Sequence, residues 1–181
     1  MRLYELRTLD PLPDGDPTSQ RNQQNYENVK DSAKVIAQSG NFKVLENQES
    51  SDTLRWFLVQ DEKVVGLFKF QHRKLINTLY WVASYVWLDS SQRGKGLAKA
   101  MYEMFIKKYG SIVSDFEQTD DSKRIWRSLF GKYNYYGLFW NDQEEQEWAK
   151  IDSQEELEKA WPPVEKYMRL MLSYSDINTK E

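Results

Sequence analysis

One short segment, Gln92-Arg93-Gly94-Lys95-Gly96-Leu97-Ala98, combines residue types that could bind an anion, and we call it the anion loop. It follows the apolar run Thr78–Leu88 and leads into a helical pattern, so it joins a buried strand to a helix. The first turn of a helix has unpaired backbone N–H groups and a positive dipole end, which attract anions. The two glycines let backbone N–H groups approach a phosphate, and the two cations add positive charge. The loop therefore predicts a pyrophosphate site.

Other phosphate-binding loops fit this segment less well. A Rossmann loop needs the three glycines of G-x-G-x-x-G, of which only two stand here. A Walker A loop ends in G-K-S/T, whereas Gly96 is followed by Leu97-Ala98. A plain glycine turn between a strand and a helix is a further alternative, and the buried strand and amphipathic helix on either side favour the anion loop over it.

The anion loop resembles the acyl-CoA pyrophosphate loop of the GNAT superfamily of N-acyltransferases, whose pattern is Gln/Arg-x-x-Gly-x-Gly/Ala. The resemblance covers Leu54–Trp140, and it implies acetyl-CoA as acyl donor and an amine of a small molecule or protein as acceptor. It also implies that the backbone of the strand before the loop binds the pantetheine arm. The implied acyl-CoA contacts are Val86, Trp87, Leu88, Gln92, Arg93, Gly94, Lys95, Gly96, Leu97 and Ala98.

The central strand departs from the family at the catalytic base. Acyl transfer to an ammonium needs a proton acceptor, and many members of the family carry a Glu on this strand. Thr78–Leu88 has no carboxylate, and Tyr80, Ser84 and Tyr85 are its only side chains that could relay a proton.

The family's tyrosine acid also has no direct match. Trp126 stands at the best-matching position, and Tyr133, Tyr135 and Tyr136 follow it. In so aromatic a chain each tyrosine could instead be a core or rim residue. The predicted catalytic side chains are Tyr80, Ser84 and Tyr133.

Composition excludes several classes of site. The chain of 181 residues has no Cys and one His, so thiolate nucleophiles, disulfides and multi-His metal sites are excluded, and no metal site is predicted. We expect His72, in a basic run, to be solvated. The net charge of −3 gives no reason to expect a nucleic-acid partner. No apolar run approaches the roughly 20 residues of a membrane span, and with the lack of Cys this favours a cytoplasmic protein.

The periodicity predicts an α/β fold, which the resemblance specifies as a GNAT-like mixed, mostly antiparallel sheet flanked by helices, with a helical C-terminal extension. We expect a helix from Ser19 to Ala37 and a hairpin over residues 54–70. The expected organisation is a GNAT-like domain at 1–151, a helical extension at 152–176 and a frayed tail at 177–181. An apolar face on a last helix would dock on the domain or on a second copy, as in a homodimer. Its members are Val164, Tyr167, Met168 and Met171.

Two functions are consistent with these residues. The first is acetyl transfer from acetyl-CoA to a primary amine. The second is a non-catalytic GNAT-like interaction protein, favoured by the missing Glu and by Trp126. The chain length and the helix over residues 122–129 are also similar to acetyltransferase-like proteins encoded by bacteriophages.

Overall fold

The computed structural model describes residues 17–116, 118–161 and 167–177. Its elements in chain order are α1 (Pro17–Glu27), β1 (Lys34–Ser39), β2 (Phe42–Ser50), β3 (Thr53–Gln60), β4 (Lys63–Leu75), β5 (Thr78–Leu88), α2 (Leu97–Tyr109), β6 (Ser111–Val113), α3 (Asp120–Leu129), β7 (Asn134–Trp140), β8 (Gln146–Lys150), α4 (Gln154–Glu158) and β9 (Arg169–Ser173). A turn of 3-10 helix, Ser90–Gln92, lies between β5 and α2. No helix among the described residues is long and apolar enough to cross a membrane.

The strands form one sheet in the order β1-β2-β3-β4-β5-β6-β9-β7-β8. β5 and β6 run parallel, and α2 is the crossover that a parallel pair needs. The pairs β1–β2, β2–β3, β6–β9, β7–β8 and β7–β9 are antiparallel. A mixed, mostly antiparallel sheet with helices confirms the predicted fold class.

The described residues up to Lys69 pack together with Tyr85–Lys95 as one unit. Its core cluster consists of Tyr26, Leu45, Phe57, Val59, Val64, Leu67 and Trp87. Tyr26 comes from α1, and Gln23 of the same helix accepts a hydrogen bond of 2.8 Å from the backbone N–H of Val64. A core side chain and a polar contact therefore fix α1 to the strands of this unit.

Phe70–Ser84 and the described residues from Gly96 onward form the other unit. One face of its strands bears a cluster that we call the Val82 cluster. Its members are Val82, Val113, Tyr136, Leu138, Trp148 and Met171. On α2, Phe105 stacks on Phe70 with ring centroids 3.8 Å apart and meets Trp81 edge-on. Because Trp81 and Val82 are successive strand residues, α2 covers the face opposite the Val82 cluster.

The central strand and the hairpin before it agree with the sequence, whereas the first helix does not. β5 spans the predicted Thr78–Leu88, and β3 and β4 form the predicted hairpin. The helix expected from Ser19 to Ala37 is wrong beyond Glu27, because residues 34–39 form β1. Five residues of β1, among them Val35, pair with β2, and that pairing outweighs the helical spacing. His72 is also not simply solvated, since its ring stacks on Trp81 with centroids 3.5 Å apart.

The helical C-terminal extension is wrong in its second half. α4 begins after Ser153, whose side chain accepts a hydrogen bond from the N–H of Glu156 and caps the helix. The expected last helix is instead the strand β9, which lies between β6 and β7. Every residue of β9 is buried, which a helix with a single apolar face would not require. Ile177 is not frayed, because its N–H donates to Tyr136 Oη at 3.1 Å, and residues 178–181 lie outside the described residues.

Candidate functional site

The anion loop leaves the end of β5 through a capped turn. The side chain of Asp89 accepts a hydrogen bond from Ser91 N at 2.9 Å, and the N–H of Asp89 donates to Val65 O at 2.9 Å. Local hydrogen bonding of this kind is why Asp and Ser favour such turns. These bonds fix the direction in which the chain leaves the strand, and so they fix where the loop begins.

Both glycines of the anion loop have backbone angles that only glycine adopts easily. Gly94 and Gly96 have φ of +75°, in the left-handed region where a Cβ is strained. A Cβ placed on either would meet no described atom within 4 Å. The glycines are therefore required by the backbone and not by a crowded neighbour. The space in front of them is open to a ligand.

Buried Gln92 orients one loop cation. Its Nε2 donates to Gln60 Oε1 at 2.9 Å, and its Oε1 accepts from Lys95 Nζ at 3.1 Å. Arg93 is exposed, and its Nε donates to the backbone O of Leu88 at 3.2 Å. Both cations expected in the loop are therefore anchored beside the two glycines.

α2 begins at Gly96 without the usual side-chain cap. Gly96 is the N-cap residue, no side chain bonds the cap, and the first turn contains no acidic residue. The first N–H groups of a helix have no partner within the helix, so here they are available to a ligand anion. Ala98 is buried, and Lys107 and Lys108 complement the dipole at the other end.

β5 continues beyond its pair with β6. In the described registers, β5 and β6 share one parallel pair, Val82↔Val113, and β5 continues to Leu88. The N–H of Ser114 donates to Leu170 O at 2.7 Å, which extends the pairing of β6 with β9. Trp87 is buried in the core, whereas Val86 and Leu88 are half-buried. The implied pantetheine contacts therefore lie at the end of β5.

The three predicted catalytic side chains occupy different surroundings. Tyr80 packs against the Val82 cluster, with its ring edge-on to Trp148 at 5.6 Å. Ser84 is half-buried on the same strand. Tyr133 instead lies beside Lys132, whose Nζ is 5.9 Å from the ring centroid, and it lines a cleft with Lys150 and Asp152.

Trp126, at the position where the family has a tyrosine, is a core residue. It is 1% exposed and packs between Tyr102 and Tyr135, with ring centroids 6.0 and 6.3 Å away. Trp126 cannot supply the tyrosine hydroxyl that the resemblance implies at this position, because its only polar group is the indole N–H.

A charged pair next to β6 was missed by the sequence analysis. Arg169 of β9 is buried, and its Nη1 donates to Ser114 O at 2.7 Å and lies 3.5 Å from Asp115 Oδ1. Burial lowers the pKa of Arg169, while the nearby Asp115 raises it. Arg169 stands in the segment expected to be helical, and only the strand register brings it to Asp115. No spacing of residues in the sequence could therefore have indicated that Arg169 and Asp115 lie close together.

The described residues offer no candidate metal site. Among the described residues, no group of three or more His, Cys, Asp or Glu side chains is placed to hold a metal ion. The charged features described above are the loop cations and the pair beside β6.

Comparison with known proteins finds similarity to solved structures only, nine chains in all, of which two are described here. No protein-family model and no curated protein matches the sequence. The chain is similar to the ribosomal-protein-S18-alanine N-acetyltransferase from Escherichia coli, with 11% identity and a TM-score of 0.44 over 89% of this chain and 93% of that one. It is also similar to AtaTR bound with AcCoA, with 12% identity and a TM-score of 0.37 over 59% and 70%. The likeness to bacteriophage proteins stays a prediction.

Proposed function

We propose that the chain is an N-acetyltransferase that moves the acetyl group of acetyl-CoA to a primary amine of a small molecule or a protein. The observation that supports this most is the geometry of the anion loop. Gly94 and Gly96 adopt left-handed angles with open space in front of them, and an uncapped helix begins at the second glycine. Backbone donors, a helix dipole and two cations then act together on one pyrophosphate.

The rest of the acyl-CoA would follow β5. The pantetheine arm would hydrogen-bond the backbone of Val86–Leu88, at the end of β5. A backbone N–H on the same strand would polarise the thioester carbonyl, since fixed donors stabilise the oxyanion that develops there. Holding the amine against that carbonyl supplies much of the rate by proximity.

A non-catalytic GNAT-like interaction protein is the second candidate. Buried Trp126 and the absence of a carboxylate on β5 favour it. It predicts that no free CoA thiol is released from acetyl-CoA in the presence of amines, whether or not acetyl-CoA binds. The proposed enzyme predicts binding followed by release.

The loop is tested by Gly96→Glu, with Gly110→Glu as its control. Both glycines have a positive φ, both have open space where a Cβ would stand, and they flank opposite ends of α2. A side chain at a left-handed position such as Gly96 costs about 1–2 kcal/mol. Gly110 has ψ of −37° against 5° at Gly96, so the control substitution is at least as strained as the test substitution. Only Gly96→Glu places a carboxylate where phosphate would lie, so we expect acetyl-CoA affinity to fall at least about tenfold in that variant.

The measurement is calorimetric titration with acetyl-CoA, with circular dichroism to confirm folding of both variants. Gly110→Glu should bind as the wild type does. Wild-type affinity in folded Gly96→Glu would show that the loop does not hold the pyrophosphate, and the proposed function would be withdrawn.

A further inference from the structure

Arg169 is a buried arginine whose hydrogen-bond donors are only partly used. Its side chain is 8% exposed, and both of its polar contacts come from Nη1, which donates to Ser114 O at 2.7 Å and lies 3.5 Å from Asp115 Oδ1. Nε is buried and has no hydrogen-bond partner within the described residues. Nη2 makes no hydrogen bond to that part of the chain either. Because a guanidinium carries N–H donors on all three nitrogens, the edge formed by Nε and Nη2 is left open.

Arg127 shows what such an edge binds in this protein. Its Nε and Nη2 donate to the two carboxylate oxygens of Glu158 at 2.8 and 2.6 Å. Its guanidinium also lies over an aromatic ring, with Cζ 4.4 Å from the ring centroid of Trp161. Arg169 has the same kind of aromatic support, since its Cζ lies 3.9 Å from the ring centroid of Phe116. The two arginines therefore differ in the carboxylate, which Arg127 has on its Nε–Nη2 edge and Arg169 lacks.

The charges around Arg169 favour an anion at this edge. Burial is the largest influence on the pKa of Arg169 and lowers it, Asp115 raises it, and Arg73 lowers it again. Two cations and one carboxylate leave one positive charge unbalanced. Asp115 approaches Nη1 only, so its carboxylate does not occupy the Nε–Nη2 edge. A buried charged donor without a partner is costly, and a ligand with one negative charge would remove that cost.

The surroundings of the edge indicate the chemistry of the ligand. The Asp115 side chain is 46% exposed and Phe116 is 61% exposed, so the guanidinium lies close beneath the surface. Phe116 covers one face of the guanidinium, and an anion would therefore approach in its plane. A carboxylate is planar and matches two parallel N–H donors. The exposed ring of Phe116 offers an apolar surface beside it, which suits an apolar body on the same ligand.

We propose that the Nε–Nη2 edge of Arg169 is a binding site for the carboxylate of a small organic acid, with the Phe116 ring against the body of the ligand. We call it the Arg169 site. It lies within one unit of the fold, to which Arg73, Asp115, Phe116 and Arg169 all belong. Two kinds of ligand carry this chemistry: an amine acceptor that bears a carboxylate, and a separate organic acid.

The first test follows the Nε–H resonance of Arg169 in nitrogen–proton correlation spectra of the full wild-type chain, without acetyl-CoA. Titration with phenylacetate should shift this resonance. The Nε–H resonance of Arg127 should stay in place, because that group already donates to Glu158. Phenylacetamide has the same body without the charge and should bind at least about tenfold more weakly. Acetate should shift the same resonance at higher concentration, because it lacks the apolar body.

Calorimetric titration with phenylacetate then compares variants whose folding is confirmed by circular dichroism. Arg169→Lys keeps the charge and loses the planar fork, so we expect affinity to fall about 10–100-fold. Arg127→Lys is the matched control and should bind as the wild type does. Phe116→Ala removes an exposed side chain, and it should weaken the binding of phenylacetate while leaving that of acetate unchanged.

Three results would overturn the Arg169 site. One is an Arg169 Nε–H resonance that phenylacetate leaves in place. Another is equal affinity for phenylacetate and phenylacetamide. The third is wild-type affinity in folded Arg169→Lys. The first two are measured on the wild-type chain, so they decide the matter even if Arg169→Lys does not fold.

Acceptor turnover distinguishes the two sources of the carboxylate, and this arm alone rests on the proposed function. Free CoA thiol is measured after acetyl-CoA is mixed with free phenylalanine or with phenethylamine, which lacks the carboxylate. If the Arg169 site binds the acceptor, phenylalanine has the lower KM and Arg169→Lys removes the difference. Equal KM values, with phenylacetate bound in the spectra, assign the site to a separate organic acid. No thiol release with any amine contradicts the proposed enzyme, while the spectra still decide whether the Arg169 site exists.

Discussion

The three tyrosines around the start of β7 hold their hydroxyl groups in different environments. Tyr135 Oη donates to the backbone O of Trp126, and Tyr136 Oη donates to Asp176 at 3.0 Å. Tyr133 Oη is buried and has no hydrogen-bond partner within the described residues. Burial is the largest cause that raises the pKa of Tyr133, and the carboxylate of Glu103 adds to it. Of the three, Tyr133 is the one whose proton is not committed to another group.

Phenylalanine variants of two of these tyrosines should therefore differ in stability. The N–H of Phe130 donates to Arg127 O, so the Trp126 carbonyl depends on Tyr135. Tyr135→Phe leaves that buried carbonyl unpaired and should cost about 1–3 kcal/mol of unfolding free energy. Tyr133→Phe removes an unpartnered hydroxyl and should not destabilise the protein. Urea denaturation of both variants measures the difference.

The same Tyr133→Phe protein tests its role as the acid. If Tyr133 protonates the leaving thiolate, turnover falls about 10²–10⁴-fold with acetyl-CoA binding kept. Full turnover in this variant would remove Tyr133 from the mechanism. Equal stability of the two phenylalanine variants would contradict the hydrogen-bond assignments.

At the scale of elements, the sequence predicted a helix or strand correctly where neighbouring residues alone determine its structure. The strand Thr78–Leu88 and the hairpin over residues 54–70 were both predicted from neighbouring residues, and both form as expected. The prediction of a helix at β9 was wrong because the structure of this segment depends on two partner strands that are distant in sequence. Its spacing suits a helix, whereas five pairs with β7 and three with β6 make it a strand. Asp115 and Arg169 meet only through that pairing, so this part of the candidate site could not be predicted.

Because β9 lies inside the sheet, truncation after Ile151 should unfold the second unit and not merely expose a docking face. Removal of β9 leaves β6 and β7 with unpaired backbone edges, and it removes the fully buried Met171 and Leu172 from the core. We expect an insoluble or non-cooperatively melting product. Expression, sedimentation and a thermal melt against the intact chain measure this. A soluble truncated protein with a normal melting temperature would contradict the placement of β9.

At the scale of the whole molecule, buried phenols should set the alkaline limit of stability. Tyr102 and Tyr135 are 3% and 1% exposed, and burial raises the pKa of both above the ordinary 10.0. A folded-state pKa above the unfolded one gives stability that is fully present below pH 10 and is lost as the pH rises further. Above pH 10 the unfolded chain releases these protons while the folded protein keeps them.

The expected loss is about 1.4 kcal/mol per pH unit for each phenol, because one pKa unit corresponds to that difference in free energy. Urea denaturation at several pH values between about 9 and 12 should therefore show a flat region followed by a decline. Tyr102→Phe removes one of these protons, and the decline above pH 10 should become shallower by about 1.4 kcal/mol per pH unit. Tyr174→Phe is the control substitution at an exposed position, because the Tyr174 side chain is 69% exposed. A slope in Tyr102→Phe equal to that of the wild type would show that Tyr102 titrates alike in the folded and unfolded chains, and its burial against Trp126 would then be wrong.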